Sequence, residues 1–165
     1  MNNAWLDRLI ARLAADCPDA VIVADRDGKI RFWNRAASRI FGFAEVEALG
    51  ASLDLIVPEG LRARHWEGYD RVMAGAPSRY GEGEILAVPA MRKDGARISI
   101  EFTVRAVHDE AGRPVAIAAF LRDVTARFEE MRALRRELAA LKAGAPPAPQ
   151  PDRAPGQDRP QGAGG

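Results

Sequence analysis

The chain opens on an amphipathic pattern. Trp5, Leu6, Leu9, Ile10 and Leu13 fall on one side of a helical wheel, with Asp7, Arg8 and Arg12 between them. A helix with one apolar face is therefore predicted, stopped by Pro18. The period then shortens. DAVIVADRDGKIRFWN holds two β-rich runs around DRDG, and Asp27-Gly28 supplies residues that tolerate positive φ at a hairpin turn. The Asn34 side chain can accept from the free N–H groups of a following short helix, for which Ala37, Ile40, Phe41 and Phe43 offer apolar surface. AEVEALGASLDLIVPEG carries a second short helix and a loop to Pro58. Pro58 and Glu59 open a longer helix that contains RARHWEGYDRVM.

After Gly75 the pattern becomes one of strands. GEGEILAVPAMRKDGARISIEFTVRAVHDEAGRPVAIAAFLRDVT has three strand-like runs separated by RKDG and DEAGRP. In the middle run Ile98, Ile100, Phe102 and Val104 alternate with Arg97, Ser99, Glu101, Thr103 and Arg105. One face is buried and one is wet, as in an antiparallel sheet covered on one side. Ile117, Ala119 and Leu121 are expected beside the buried face, and Pro89, which cannot donate to a ladder, belongs near an edge or bulge. From Thr125 a helix follows, with Phe128, Met131, Leu134, Leu138 and Leu141 forming an apolar stripe among charged residues. The stripe is too short for sustained heptads.

The predicted fold is α+β: a five-stranded antiparallel sheet covered on one face by short helices, with a flanking helix at each end. The expected layout is an N-terminal flanking helix over residues 1–17, a central domain over 18–124, an exit helix over 125–143 and a tail over 144–165. The tail holds six of the eleven prolines and no large apolar residue, a composition that cannot build a core and is expected to be disordered.

Composition narrows the function. The net charge is +1, from 24 basic and 23 acidic residues, so neither nucleic acid nor an anionic membrane is favoured. A single cysteine, Cys17, leaves no internal disulfide and no multi-cysteine metal cage. No CxxCH motif is present to attach a c-type haem. No apolar run approaches the ~18 residues of a membrane span, and a cytoplasmic chain is expected. RYGEGE lacks the following helix and lysine of a phosphate loop. No nucleophile–base pattern, His/Asp/Glu metal spacing or kinase signature points to an enzyme.

The segments PDAVIVADRDGKIRFWNRAASRIFGF, EALG, RKDGARISIEF and GRPVAIAAFLRDVT, in this order, resemble the PAS domain family. The likeness runs from about Leu13 to Leu141 and implies a sensor or interaction module whose concave sheet grips a small molecule beneath helices. RDVT resembles the family's junction between last strand and signalling helix, where Asp123 or Thr125 would cap the helix. IVPEGLRARHWEGYDR is similar to the helix of haem-binding, oxygen-sensing members that carries the iron-ligating histidine, with a propionate-binding arginine six residues later. The resemblance puts these roles on His65 and Arg71 and implies haem b as cofactor. His65 and Tyr69 share a helical face with Leu61 and Val72, Gly68 leaves room beside the imidazole, and a guanidinium suits a propionate.

Those members also carry a distal arginine that stabilises bound oxygen. Counting along this sequence puts Ile85 or Leu86 there, and neither side chain donates a hydrogen bond, so an apolar distal side is expected unless a sulfur ligand such as Met91 swings in. The remaining pocket wall is expected from Ile100, Phe102 and Val104. Each residue also has a plainer reading: His65 as a packed surface-helix histidine, Arg71 as a solvated one, Met73 and Met91 as filler, Trp33 and Trp66 as core-boundary tryptophans. His108, beside DEAGRP, is expected to be exposed. The alternative to a ligand-gated sensor is therefore a cofactor-free PAS interaction module. In either case the expected assembly is a homodimer through the helices that carry Trp5 to Leu13 and Phe128 to Leu141, acting on a separate output protein.

Overall fold

Asp25 and Asp109 build two hairpin turns in the same way. The Asp25 carboxylate accepts from the Asp27 and Lys29 N–H groups at 3.0 Å each. Asp109 accepts from Ala111 at 3.0 Å and Arg113 at 2.8 Å. Each turn then passes through a glycine with positive φ, Gly28 at 69° and Gly112 at 74°, a region that other residues enter only with strain. The computed structural model describes residues 3–76 and 85–144, and in it these turns join β1 (Ala20–Asp25) to β2 (Ile30–Trp33) and β4 (Arg97–His108) to β5 (Pro114–Asp123). The remaining elements are α1 (Ala4–Ala15), α2 (Arg35–Phe41), α3 (Glu45–Ala48), a 3-10 turn (Leu53–Leu55), α4 (Glu59–Met73), β3 (Leu86–Met91) and α5 (Thr125–Gly144). RYGEGE and the Pro/Gly-rich tail lie outside the described residues, apart from Gly144.

The strands form one antiparallel sheet in the order β2-β1-β5-β4-β3. Register places Ala20, Leu121, Phe102 and Leu86 in one row, and Ile22, Ala119 and Val104 in the next. Paired residues point to the same side, so these rows lie on the face that carries the buried Ala20, Ile22, Ile98, Ile100 and Leu121. The alternation in β4 thus predicts the correct face. Helices and turns cover it with Ala37, Phe41, Ala48, Leu53, Ile56, Tyr69 and Met73 in one cluster. Pro89 sits in β3, an edge strand, where its missing donor costs least. The other edge is shielded: Ile30 donates to the Ala51 carbonyl at 2.9 Å and accepts from Gly50 at 2.8 Å.

Asn34 closes the joint between β2 and α2. It is buried, and its Oδ1 accepts from Ala37, capping α2, and from Val21 of β1. Its amide nitrogen donates to the carbonyls of Ala14 and Asp19 at 3.1 and 2.9 Å. One side chain thus joins α1, β1 and α2. At the other end, the Asp123 carboxylate accepts from the Thr125 N–H at 2.9 Å, while the Thr125 hydroxyl accepts from the Ser99 N–H. The two residues divide the junction: Asp123 serves the helix start and Thr125 ties it to β4.

The chain divides into two compact units, Met1–Glu130 and Met131–Gly165. The first holds the sheet and its cover. In the second, the described residues 131–144 continue α5 with Met131, Leu134, Leu138 and Leu141 exposed.

Candidate functional site on helix α4

Helix α4 begins just after Pro58, with Glu59 in its first turn and Arg71 in its last, charges that suit the helix dipole. Trp66, Tyr69 and Met73 recur at helical spacing on its inner side, with Tyr69 only 5% exposed and Met73 buried beside it. His65 borders this stripe and is half-buried. Its ring lies edge-on to Trp66 with centroids 4.9 Å apart, and 6.0 Å from the Tyr69 ring. Trp66 and Tyr69 meet at 5.5 Å. The three rings make a continuous aromatic corner.

Two of them are anchored. The Trp66 indole donates to the Asp54 carboxylate at 2.9 Å, and its ring lies on Gly28 so closely that a Cβ there would fall 2.2 Å from ring carbons. The Tyr69 hydroxyl reaches the carbonyls of Ala24 at 3.1 Å and Asp25 at 2.5 Å. Burial, and then the charges of Asp25 and Asp27, push its ionisation well above the ordinary phenol range. It is a fixed donor.

His65 differs from both. Among the described residues its buried Nδ1 has no hydrogen-bond partner, and leaving such a group unsatisfied costs about 1–3 kcal/mol. Burial drives its pKa below the ordinary imidazole value, and the charge of Asp54 opposes that shift without cancelling it. Burial thus favours the neutral form, the one in which an imidazole ligates metals. Among the described residues no group of three or more His, Cys, Asp or Glu side chains could hold a metal ion.

The other predicted site residues separate into two sets. Tyr69 and Ile100 belong to the buried cluster, Phe102 packs against it, and Leu86, Val72 and Val104 are half-buried. Leu86 pairs with Phe102, and Val104 with Ala119, on the covered sheet face. Arg71 is exposed, and Ile85, just before β3, is 64% exposed. Met91 is half-buried, its N–H donating to the Ile56 carbonyl. His108 is exposed at the end of β4. Sequence reasoning missed the seat of Trp66 on Gly28 and the anchor at Asp54. Only the Asp-Gly turn signal pointed to one half of that contact.

A family model described as PAS fold matches residues 15–129. The sensor protein FixL of Bradyrhizobium diazoefficiens is 31% identical over 133 residues, covering 76% of this chain and 26% of that protein. The oxygen sensor protein DosP of Escherichia coli is 27% identical over 122 residues, covering 74% of this chain and 15% of its own length. The chain thus spans about a quarter or less of the curated relatives it matches. Among solved structures, the PAS domain of a protein from Colwellia psychrerythraea superposes with a TM-score of 0.63 at 21% identity, covering 73% of this chain and 98% of that one. The matched segment takes in the whole sheet, its helical cover and the aromatic corner of α4, and on that ground the chain belongs to the PAS family.

Proposed function

We propose that this chain is a sensory PAS module that takes up haem b with His65 as the iron ligand. The observation that carries the reading is the His65 imidazole, whose neutral form burial favours, with a buried nitrogen that takes no hydrogen bond among the described residues. That a relative is named as an oxygen sensor is consistent with it. Bound haem would supply an iron that can take a small ligand or change its oxidation state. The protein's part is to hold and enclose it. Trp66 and Tyr69 fix the helix that carries His65, and Ile100, Phe102, Val104 and Leu86 supply an apolar wall. Arg71, exposed on the same helix, is available to a propionate. The interior around Tyr69, Ile98, Ile100 and Leu121 is packed as one cluster, so uptake requires side chains there to give way. Neither Ile85 nor Leu86 offers a distal hydrogen bond, and selectivity for oxygen over other diatomics is not expected from those positions.

The signal would leave through a homodimer interface on α1 and α5, or through a separate output protein. Neither helix has a buried residue, and Trp5 at 67% and Leu141 at 72% exposure are apolar groups that an interface would cover. The same exposure favours a second reading, a cofactor-free PAS module that works by assembly alone. Expression with ample haem separates the two. A Soret band that His65→Ala abolishes or strongly shifts, and that His108→Ala leaves unchanged, supports the first. A colourless chain that resists reconstitution supports the second.

A further inference from the structure

The turn that receives Trp66 and Tyr69 also sends a side chain outward. Arg26 donates from one guanidinium nitrogen to the Pro114 carbonyl at 2.6 Å and from another to the Met73 carbonyl at 3.4 Å. Met73 is the last residue of α4, so its carbonyl belongs to the negative end of the helix dipole, where a cation is favoured. Pro114 is the first residue of β5. A third negative group stands close by: the Asp109 carboxylate, held below its ordinary range chiefly by the Arg113 backbone N–H, also feels the Arg26 charge. Arg26 therefore sits at a junction of α4, β5 and both aspartate turns. From there β5 runs beside β1 from Ala116 to Leu121 and ends at Asp123, which holds the start of α5.

We propose that Arg26 is a positioning residue that couples helix α4 to strand β5, so that a displacement of α4 at His65 reaches the first turns of α5. The trigger rests on the proposed role of His65; the coupling itself is a property of the cofactor-free chain. Its two bonds are unequal, and the longer one, to Met73, yields first when α4 moves. The guanidinium then redistributes between Pro114 and Asp109, changing the hold on the start of β5. A simple brace would stabilise both elements without making one respond to the other.

Hydrogen–deuterium exchange of the full chain tests this in two arms, comparing wild type with Arg26→Ala and the milder Arg26→Lys. In the cofactor-free arm, peptides covering the last turn of α4 and the first half of β5 should both exchange roughly three- to tenfold faster in Arg26→Ala, the effect of losing one or two such bonds. Arg26→Lys should fall between, and carries the comparison if the alanine variant does not fold. Acceleration confined to the turn or to α4 overturns the coupling. In the second arm haemin is added. Wild type should change protection in β5 and in residues 125–130, while the Arg26 variants keep their Soret band and lose that distant change. An equal distant change in all three overturns the relay. If wild type takes up no haemin, the reading of His65 fails by itself, and the coupling is decided in the cofactor-free chain by Trp66→Phe, which frees α4 from Asp54: it should speed exchange in the first half of β5 when Arg26 is present and not in Arg26→Ala, and an equal effect in both backgrounds, or none in either, overturns the coupling.

Discussion

Gly28 carries two demands at once, a positive φ and an indole ring where a Cβ would be. Gly112 carries only the first, since none of the described residues lies within 4 Å of its Cβ position. Gly28→Ala should therefore cost about 1–3 kcal/mol of overpacking beyond whatever backbone strain Gly112→Ala shows. Urea denaturation of the two variants measures the difference, and equal losses would mean that Trp66 moves aside freely. His65 adds a pH dependence with a definite sign. Its native pKa is depressed, so the unfolded chain binds the proton more readily and stability rises with pH through the window between the lowered value and the ordinary one of about 6.5. The contribution is complete above that window and is lost as the pH falls through it. Asp54 is the charged group acting on the imidazole, and the Trp66 and Tyr69 rings pack against it. Urea midpoints should drop more steeply on acidification in cofactor-free wild type than in His65→Gln. At this scale the sequence was only half legible. The Asp-Gly turn and the Asn34 cap have local signatures, whereas the contact between residues 28 and 66 belongs to two distant segments and leaves no periodic trace.

Among the elements, β4 was the most legible, because strict alternation over residues 97–105 allows only one face inward. Phe102 tests that face. It is half-buried and packs on the core cluster, so Phe102→Ala should cost about 3 kcal/mol, the lower end for a truncated core aromatic. Thr103→Ala, on the opposite face beside Phe120, should cost less than about 0.5 kcal/mol. Chemical denaturation of the pair decides the matter, and the reverse ranking would turn the sheet over. Helix α4 was legible as a helix but not as a site. Helical spacing brought His65 and Tyr69 to one side, where their rings lie 6.0 Å apart, yet a propionate role for Arg71 was implied only by resemblance, and the exposed placements of Arg71 and Ile85 could not be read from spacing. Burial depends on what packs opposite, and that information lies outside the helix.

For the molecule as a whole, the exposed apolar stripes of α1 and α5 make assembly the property to measure. The full chain should sediment as a dimer at micromolar concentration and a version ending at Arg132 should shift toward monomer; two monomers would leave a different protein as the partner of those faces. The α+β class and the five strands were legible from the alternation of turn signals and β-rich runs, but the strand order was not, since pairing between β1 and β5 follows from closure of the sheet and has no local cue. That order governs how the protein is made. Ala20 and Leu121 are neighbours in space though on the order of a hundred residues apart in the chain, and such non-local pairing is the slow part of folding. During synthesis β1 and β2 emerge early and wait as a hairpin with an open edge, a surface prone to pairing with the wrong strand. Only when β5 leaves the ribosome can it slot between β1 and β4 and join the two halves of the sheet.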